Sequence, residues 1–266
     1  MLIVGERINT TRKAMSEAVA GRRAEPVKEE AARQIEVGAD TLDVNCGTVP
    51  AETEPETLAW LVEIVQAACD LPLCIDSPNP KALAAGLSVH RGKAMINSIS
   101  GEKARYEQVL PLVKQYGASV VALGVDDRGI PEGRDRATEV ASGLVSALLA
   151  EGVAADDIYF DPLVRSVATS QTAALESLAL MRDLGVRFPG LHFISGLSNA
   201  SYGLPERRHL NRAFAVLSIA AGLDAVIMDP LDATLVALIY ATEVLANKDR
   251  FSMRYIEAFH RGRLKA

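Results

Sequence analysis

His192 to Gly203 reads HFISGLSNASYG, and this stretch decides how the rest of the chain is read. Phe193 and Ile194 open an apolar strand that breaks at Gly196. Ser198 and Asn199 then enter a turn containing Gly203, and a helix begins near Pro205 or Glu206. A strand that stops on small residues and short polar side chains leaves room for a flat ligand beside the backbone.

The same pattern recurs in both directions along the chain. Short runs rich in Val, Ile and Leu, bounded by turn residues, predict strands over Leu2–Gly5, Asp40–Asn45, Leu73–Asp76, Ala94–Asn97, Ser119–Gly124, Ile158–Asp161, Phe193–Gly196 and Ala225–Asp229. Helical periodicity fills the gaps: Val27–Val37, Pro55–Ala68, Lys81–Leu87, Glu102–Tyr116, Arg136–Ala150, Thr172–Leu184, Arg207–Ala221 and Thr234–Leu245, with Phe251–His260 last. Gly38, Gly117 and Gly222 stand where helices end before the next strand. Roughly eight β-α units in 266 residues describe a (β/α)8 TIM barrel. An open doubly wound sheet fits less well, because no GxGxxG follows the first strand. Without a linker or low-complexity segment, residues 1–266 are expected to form a single domain.

Composition narrows the class. Apolar content of 49% with 23% charged residues suits a soluble protein, and a net charge of −6 argues against a nucleic-acid or anionic-membrane partner. Met1 leads straight into a short strand, not a secretory signal, and the longest apolar run is broken by Gly222 and Asp224. Cys46, Cys69 and Cys74 form no CxxC pair, so reduced thiols and a cytoplasmic setting are expected.

A TIM barrel carries its site at the C-terminal ends of its strands. Those ends are polar here: Glu6 and Asn9, Asp43 and Asn45, Asp76 and Ser77, Asn97 and Ser98, Asp126 and Asp127, Asp161, Ser198 and Asn199, then Asp229. Any one Asp or Asn at a strand end serves equally well as a helix cap or turn residue. Asp76, Asn97 and Asp161 each close an apolar run, however, and capping does not require side chains to converge on one rim. No lysine ends a strand, which argues against Schiff-base chemistry. The four histidines make no HxH or HExxH, and His192 reads as a solvated loop residue at the opposite end. A rim rich in Asp and Asn but poor in cations suits a neutral heterocycle with paired N–H donors. A Mg²⁺ site from Asp43, Asp76 and Asp161 is the alternative.

Eight segments carry a resemblance. GERIN (Gly5–Asn9), LDVNCG (Leu42–Gly47), CIDS (Cys74–Ser77), MINSIS (Met95–Ser100), YFDPL (Tyr159–Leu163), GLSN (Gly196–Asn199), NRAF (Asn211–Phe214) and AGLDAVIMD (Ala221–Asp229) occur in order over nearly the whole chain. Together they resemble the pterin-binding barrel superfamily. More narrowly, they resemble the methyltetrahydrofolate:corrinoid methyltransferases, which are related to the folate domain of cobalamin-dependent methionine synthase.

The resemblance implies that Asp76, Asn97 and Asp161 hold the pterin ring of tetrahydrofolate or 5-methyltetrahydrofolate, with Glu6 and Asp43 nearby. It implies that Gly196 and Ser198 line the pocket and that Asn199 faces N5, with Asp76 or Asp161 moving a proton through water. The family usually has Gln where this chain has Tyr202. Arg207 is expected either to meet the folate glutamate tail or to stand solvated in the first turn of its helix. No DxHxxG cobalamin-binding motif is present, so the cobalamin is expected on a partner corrinoid protein, and a homodimer is the family's habit. Dihydropteroate synthase chemistry is a rival on the same fold, but MDPLD (Met228–Asp232) is acidic where that chemistry wants cations for pyrophosphate. A non-catalytic folate-binding subunit is a second rival.

Overall fold

The structure is a computed structural model describing residues 1–264. Among them, eight parallel strands close into a barrel in sequence order: β1 (Leu2–Asn9), β2 (Thr41–Asn45), β3 (Leu73–Asp76), β4 (Met95–Gly101), β5 (Ser119–Asp126), β6 (Ile158–Asp161), β7 (His192–Gly196) and β8 (Ala225–Met228). Pairing of β1 with β8, Leu2 opposite Ala225 and Gly5 opposite Met228, completes the ring and leaves no exposed sheet edge. The helices are α1 (Lys13–Ala20), α2 (Ala24–Glu36), α3 (Glu54–Ala68), α4 (Pro80–Val89), α5 (Lys103–Tyr116), α6 (Arg134–Ala150), α7 (Ala173–Arg187), α8 (Arg207–Ala221), α9 (Ala233–Leu245) and α10 (Met253–His260).

The predicted order of elements holds, with shifted edges. Helix α1 has no counterpart in the expected pattern, because it is a single short amphipathic stretch between Thr11 and Gly21 that buries only Met15, Ala18 and Val19. Strands β1, β4 and β5 run further than their apolar cores, to Asn9, Gly101 and Asp126, since ladder bonds continue through polar residues once a neighbour is in place. Strand β8 instead stops at Met228, leaving Asp229 just beyond it.

Two apolar layers follow from the period of two along each strand. Ile3, Leu42, Ile75, Ile96, Val120, Phe160, Phe193 and Val226 face outward into the helices, all nearly or fully buried. Val4, Cys74, Met95, Val121, Ile194 and Ala225 face inward and fill the lumen as a separate cluster. Burial of each large side chain contributes roughly 1.5–3 kcal/mol. Helix α4 approaches β3 closely because Gly86 has no side chain: a Cβ there would stand 3.0 Å from Ile75 Cγ2. A second close approach explains GERIN. A Cβ on Gly5 would lie 2.4 Å from Oε1 of Gln34, the atom that accepts the Arg7 backbone N–H at 3.1 Å.

Candidate functional site

Continuing the inward parity to the strand tops replaces the apolar lumen with a polar lip. Glu6 follows Val4, Asn45 follows Asp43, Asp76 follows Cys74, Asn97 follows Met95, Asp161 follows Tyr159 and Gly196 follows Ile194. Asn45, Asp76 and Asn97 are register partners on β2, β3 and β4. Nδ2 of Asn45 donates to Asp76 Oδ2 at 2.8 Å, so Asp76 is oriented from its neighbouring strand. Asp161 is fixed from the other side by the N–H groups of Leu163, at 2.8 Å, and Gly196. Leu163 reaches back by adopting φ +49°, a left-handed conformation unusual for a branched residue.

Burial raises the pKa values of this lip. Asp76 is pushed up to about 6 by burial, against lowering by Asn45 and the Arg105 guanidinium. Asp161 is likewise pushed up to about 6 by burial, against its two backbone N–H donors. Asp43 lies one layer lower at 2% exposure, facing Cys74, Asp76 and Asn97, with Oδ1 unpartnered. Burial and the Asp76 charge raise it well above the ordinary carboxylate value. Glu6 is raised by burial and Asp229, with Arg12, Arg207 and Arg7 opposing.

Three arginines give this end more cationic character than the strand ends suggest. Arg7 bonds Glu30 and donates to Asp229 at 2.6 Å, tying α2 to β8 across the closing seam. Arg105 donates to the carbonyls of Ser77 (2.9 Å), Pro78 (2.6 Å) and Ser98 (2.8 Å), pinning the loops that follow Asp76 and Asn97. Arg207 donates through Nη2 to the Ser198 carbonyl at 2.6 Å and through Nε to Ser201 Oγ at 3.1 Å. Exposed in the first turn of α8, its guanidinium also braces its own loop and lies 5.8 Å from the centre of the Tyr202 ring. Neither Arg7 nor Arg105 stood out in the sequence, because their reach depends on side-chain direction between elements.

The other candidates separate. Ser198 and Asn199 lie in a 3-10 turn, Leu197–Asn199, directly after β7. The Asn199 side chain is exposed, and its Nδ2 lies 3.6 Å from where a Cβ on Gly196 would stand. Tyr202 is 71% exposed on the lip. Asn9, Asp126 and Asp127 stand at or just past strand ends and hold loops: Asn9 accepts the Thr11 N–H at 2.9 Å, Asp126 pairs with Arg136, and Asp127 accepts the Lys103 N–H at 3.1 Å. Asp229 accepts the Leu231 N–H at 3.0 Å as well as Arg7. Among the described residues no three His, Cys, Asp or Glu side chains gather within reach of one ion.

A cavity of about 420 Å³ opens at the same end on the β7, β8 and β1 side, lined by Glu6, Arg7, Ser198, Asn211 and Asp229. The acids of β3 and β6 are not among its walls, so the lip offers two adjoining regions. One is a carboxylate and amide surface over the lumen, and the other is a mixed-charge cleft beside it.

At the opposite end His192 departs from its expected role. Nδ1 lies 2.7 Å from Asp224 and Nε2 lies 3.0 Å from Asp156, while the ring stacks on Tyr159 at 4.8 Å. These carboxylates push His192 up to about 9. Chain order does not bring the β6, β7 and β8 partners together; barrel closure does.

Comparison with known proteins agrees with this architecture. Solved dihydropteroate synthases superpose well: that of Xanthomonas albilineans bound to 7,8-dihydropteroate has a TM-score of 0.68 at 24% identity, covering 92% of this chain and 93% of that one. The Clostridium difficile enzyme, with pteroic acid present, has a TM-score of 0.75 at 17% identity, covering 92% of this chain and 96% of its own. At such identities the likeness shows the fold alone. In sequence, the chain is 34% identical over 266 residues to a methylcorrinoid:tetrahydrofolate methyltransferase of Eubacterium limosum, spanning 99% of this chain and 98% of that protein. It is 30% identical over 241 residues to methionine synthase of Mycobacterium tuberculosis, covering 86% of this chain but 20% of the larger protein. The profile of the family described as pterin binding enzyme matches residues 5–229, and with most of the barrel inside that match, this chain belongs to the pterin binding enzyme family.

Proposed function

We propose that the protein transfers a methyl group between the corrinoid of a partner protein and N5 of tetrahydrofolate, acting as one barrel domain. The observation that carries this reading is the full-length likeness to a methylcorrinoid:tetrahydrofolate methyltransferase. The polar lip supports it. Asp76, Asn97 and Asp161 offer acceptors for the paired N–H groups of a pterin, and Asn97 can also donate to a ring acceptor. Gly196 and Ser198 leave the ring edge close to backbone, and Glu6 and Asp43 border the pocket. Tyr202 and Arg207 stand on the rim above it.

When docked, the corrinoid supplies the methyl group as an electrophile and retains the bonding electron pair. This chain's task is to prepare N5. In the direction toward tetrahydrofolate, the N5 lone pair forms the new N–C bond and the N–H proton must leave. In this reading the Asn199 amide bonds N5, and its oxygen accepts that N–H as positive charge grows on nitrogen. Asp76 and Asp161, each near 6, are largely ionised at neutral pH and serve as proton acceptors through water. Asp43 lies beneath them, where burial and the Asp76 charge disfavour its ionised form. In reverse, the same amide stabilises the leaving N5.

The partner docks over the C-terminal face of the barrel, where N5 is within reach. A homodimer and a cytoplasmic setting belong to the same reading. Helix α9 supports an assembly: its only charged residue is the buried Glu243, and Leu217 of α8 and Leu245 are 51% and 88% exposed. Among the described residues no helix is long and apolar enough to cross a membrane.

Asn199→Ala tests the mechanism. Methyl transfer between methylcobalamin and tetrahydrofolate should fall by about 10²–10³, the effect of losing one donor or acceptor aimed at developing charge. Tetrahydrofolate affinity should largely survive. Equal loss of binding and rate would reduce Asn199 to a binding residue.

A further inference from the structure

Asn199 bears most of the chemistry in the methyl-transfer reading, yet its side chain is exposed and the short turn beneath it has to hold it in place. That turn is fastened from below. Ser201 is fully buried, and its hydroxyl donates to the Ser198 carbonyl at 3.3 Å while accepting Arg207 Nε at 3.1 Å. Asn211, one turn into α8, has its amide nitrogen 2.6 Å from Ser201 Oγ, 3.2 Å from the Arg207 carbonyl and 3.3 Å from the Leu197 carbonyl. With the Arg207 Nη2 bond to Ser198, the carbonyls of both residues preceding Asn199 are tied to side chains of α8. The neighbouring loop adds further ties, Val167 N–H to the Ala200 carbonyl at 3.0 Å and Ser166 Oγ to the Tyr202 carbonyl at 2.5 Å.

The geometry points to Ser201 and Asn211 as positioning residues that hold the Asn199 backbone against α8, and so aim its amide; this rests on the methyl-transfer reading above. Ser201 is fully buried away from the lip, and Asn211 borders only the cleft beside it. They act through the Leu197 and Ser198 carbonyls, and a hydroxyl with three polar neighbours in a fully buried position has no freedom to rotate out of that role. A preorganised amide is effective because it needs no reorganisation as charge develops on N5, and a loosened turn forfeits that advantage without removing any substrate contact.

Ser201→Ala removes one atom and leaves no large cavity, so the barrel stays folded. Hydrogen–deuterium exchange over residues 197–203 should quicken about tenfold, the lower end of what losing three hydrogen bonds gives, with the rest of the barrel unchanged. In the same preparation, kcat for methyl transfer between methylcobalamin and tetrahydrofolate should drop about tenfold while KM for tetrahydrofolate stays within about twofold. Asn211→Asp, which keeps the shape but loses the donor, should follow the same pattern, and Ser201→Thr, which keeps the hydroxyl, should retain kcat. Unchanged exchange and kcat in Ser201→Ala beside an active wild type overturns the assignment alone. A parallel rise in KM also overturns it, because the turn would then serve binding. A wild type that binds tetrahydrofolate but transfers no methyl group refutes the functional reading and takes this assignment with it, whatever the exchange shows.

Discussion

Proton release on folate binding follows from the lip and can be worked through. Asp76 and Asp161 each titrate near 6 in the ligand-free protein because burial disfavours their charge. A pterin presenting N–H groups binds the ionised forms, so the ligand must displace protons wherever the carboxyls still hold them. For one such group the apparent dissociation constant grows by the factor 1 + 10^(6 − pH), about tenfold between pH 7 and pH 5; for both together it grows about a hundredfold. Titration calorimetry with tetrahydrofolate across this range, in two buffers of different ionisation enthalpy, measures both the affinity and the protons released. Release should be greatest at low pH and fade above about pH 7, where the carboxyls have already ionised. Asp161→Asn should remove one of the two slopes, and Asp76→Asn the other. The same shift has a stability consequence. A carboxyl raised from 3.8 in the unfolded chain to about 6 when folded stabilises the ligand-free protein most below pH 4. That contribution, about 3 kcal/mol for each group, is lost as pH rises through 6. Affinity that stays flat from pH 5 to 7, or a slope that survives in both Asn variants, would refute the placement of these carboxyls against the ligand.

Other outcomes are expected away from the lip. His192 is raised to about 9 by Asp224 and Asp156, so its stabilisation is complete below its unfolded value of 6.5 and is lost as pH climbs through 9. Thermal melts from pH 7 to 10 should show a falling midpoint, and His192→Gln should flatten that decline. Gly5→Ala places a Cβ 2.4 Å from Gln34 Oε1 and so competes with the Arg7 N–H bond to the same atom. A loss of about 1–3 kcal/mol is expected in denaturant unfolding; a change within 0.5 kcal/mol or so would mean Gln34 moves aside freely.

Much of this protein was legible in the chain alone, for a local reason. Strand length, the alternation of Val, Ile and Leu with small residues, and the glycines at Gly38, Gly117 and Gly222 are nearest-neighbour signals. They determined the eight β-α units and, from the strand ends, which polar residues gather at one end of the barrel. Asp76, Asn97 and Asp161 were found because each closes an apolar run at a strand end; in the barrel each also follows an inward-facing residue by two positions. The tertiary structure decided everything that depends on distance between elements. The pairing of β1 with β8, the near-neutral acidity of Asp76 and Asp161, the brace of Arg207 and the Asp224–His192–Asp156 cluster each involve groups from separate segments. Burial and side-chain direction are properties of the closed barrel, and no window of sequence contains them. Asn199 shows both halves: its place after a strand that ends in glycine was readable, whereas the buried Ser201 and half-buried Asn211 bonded beneath its turn became visible only when α8 folded back against it.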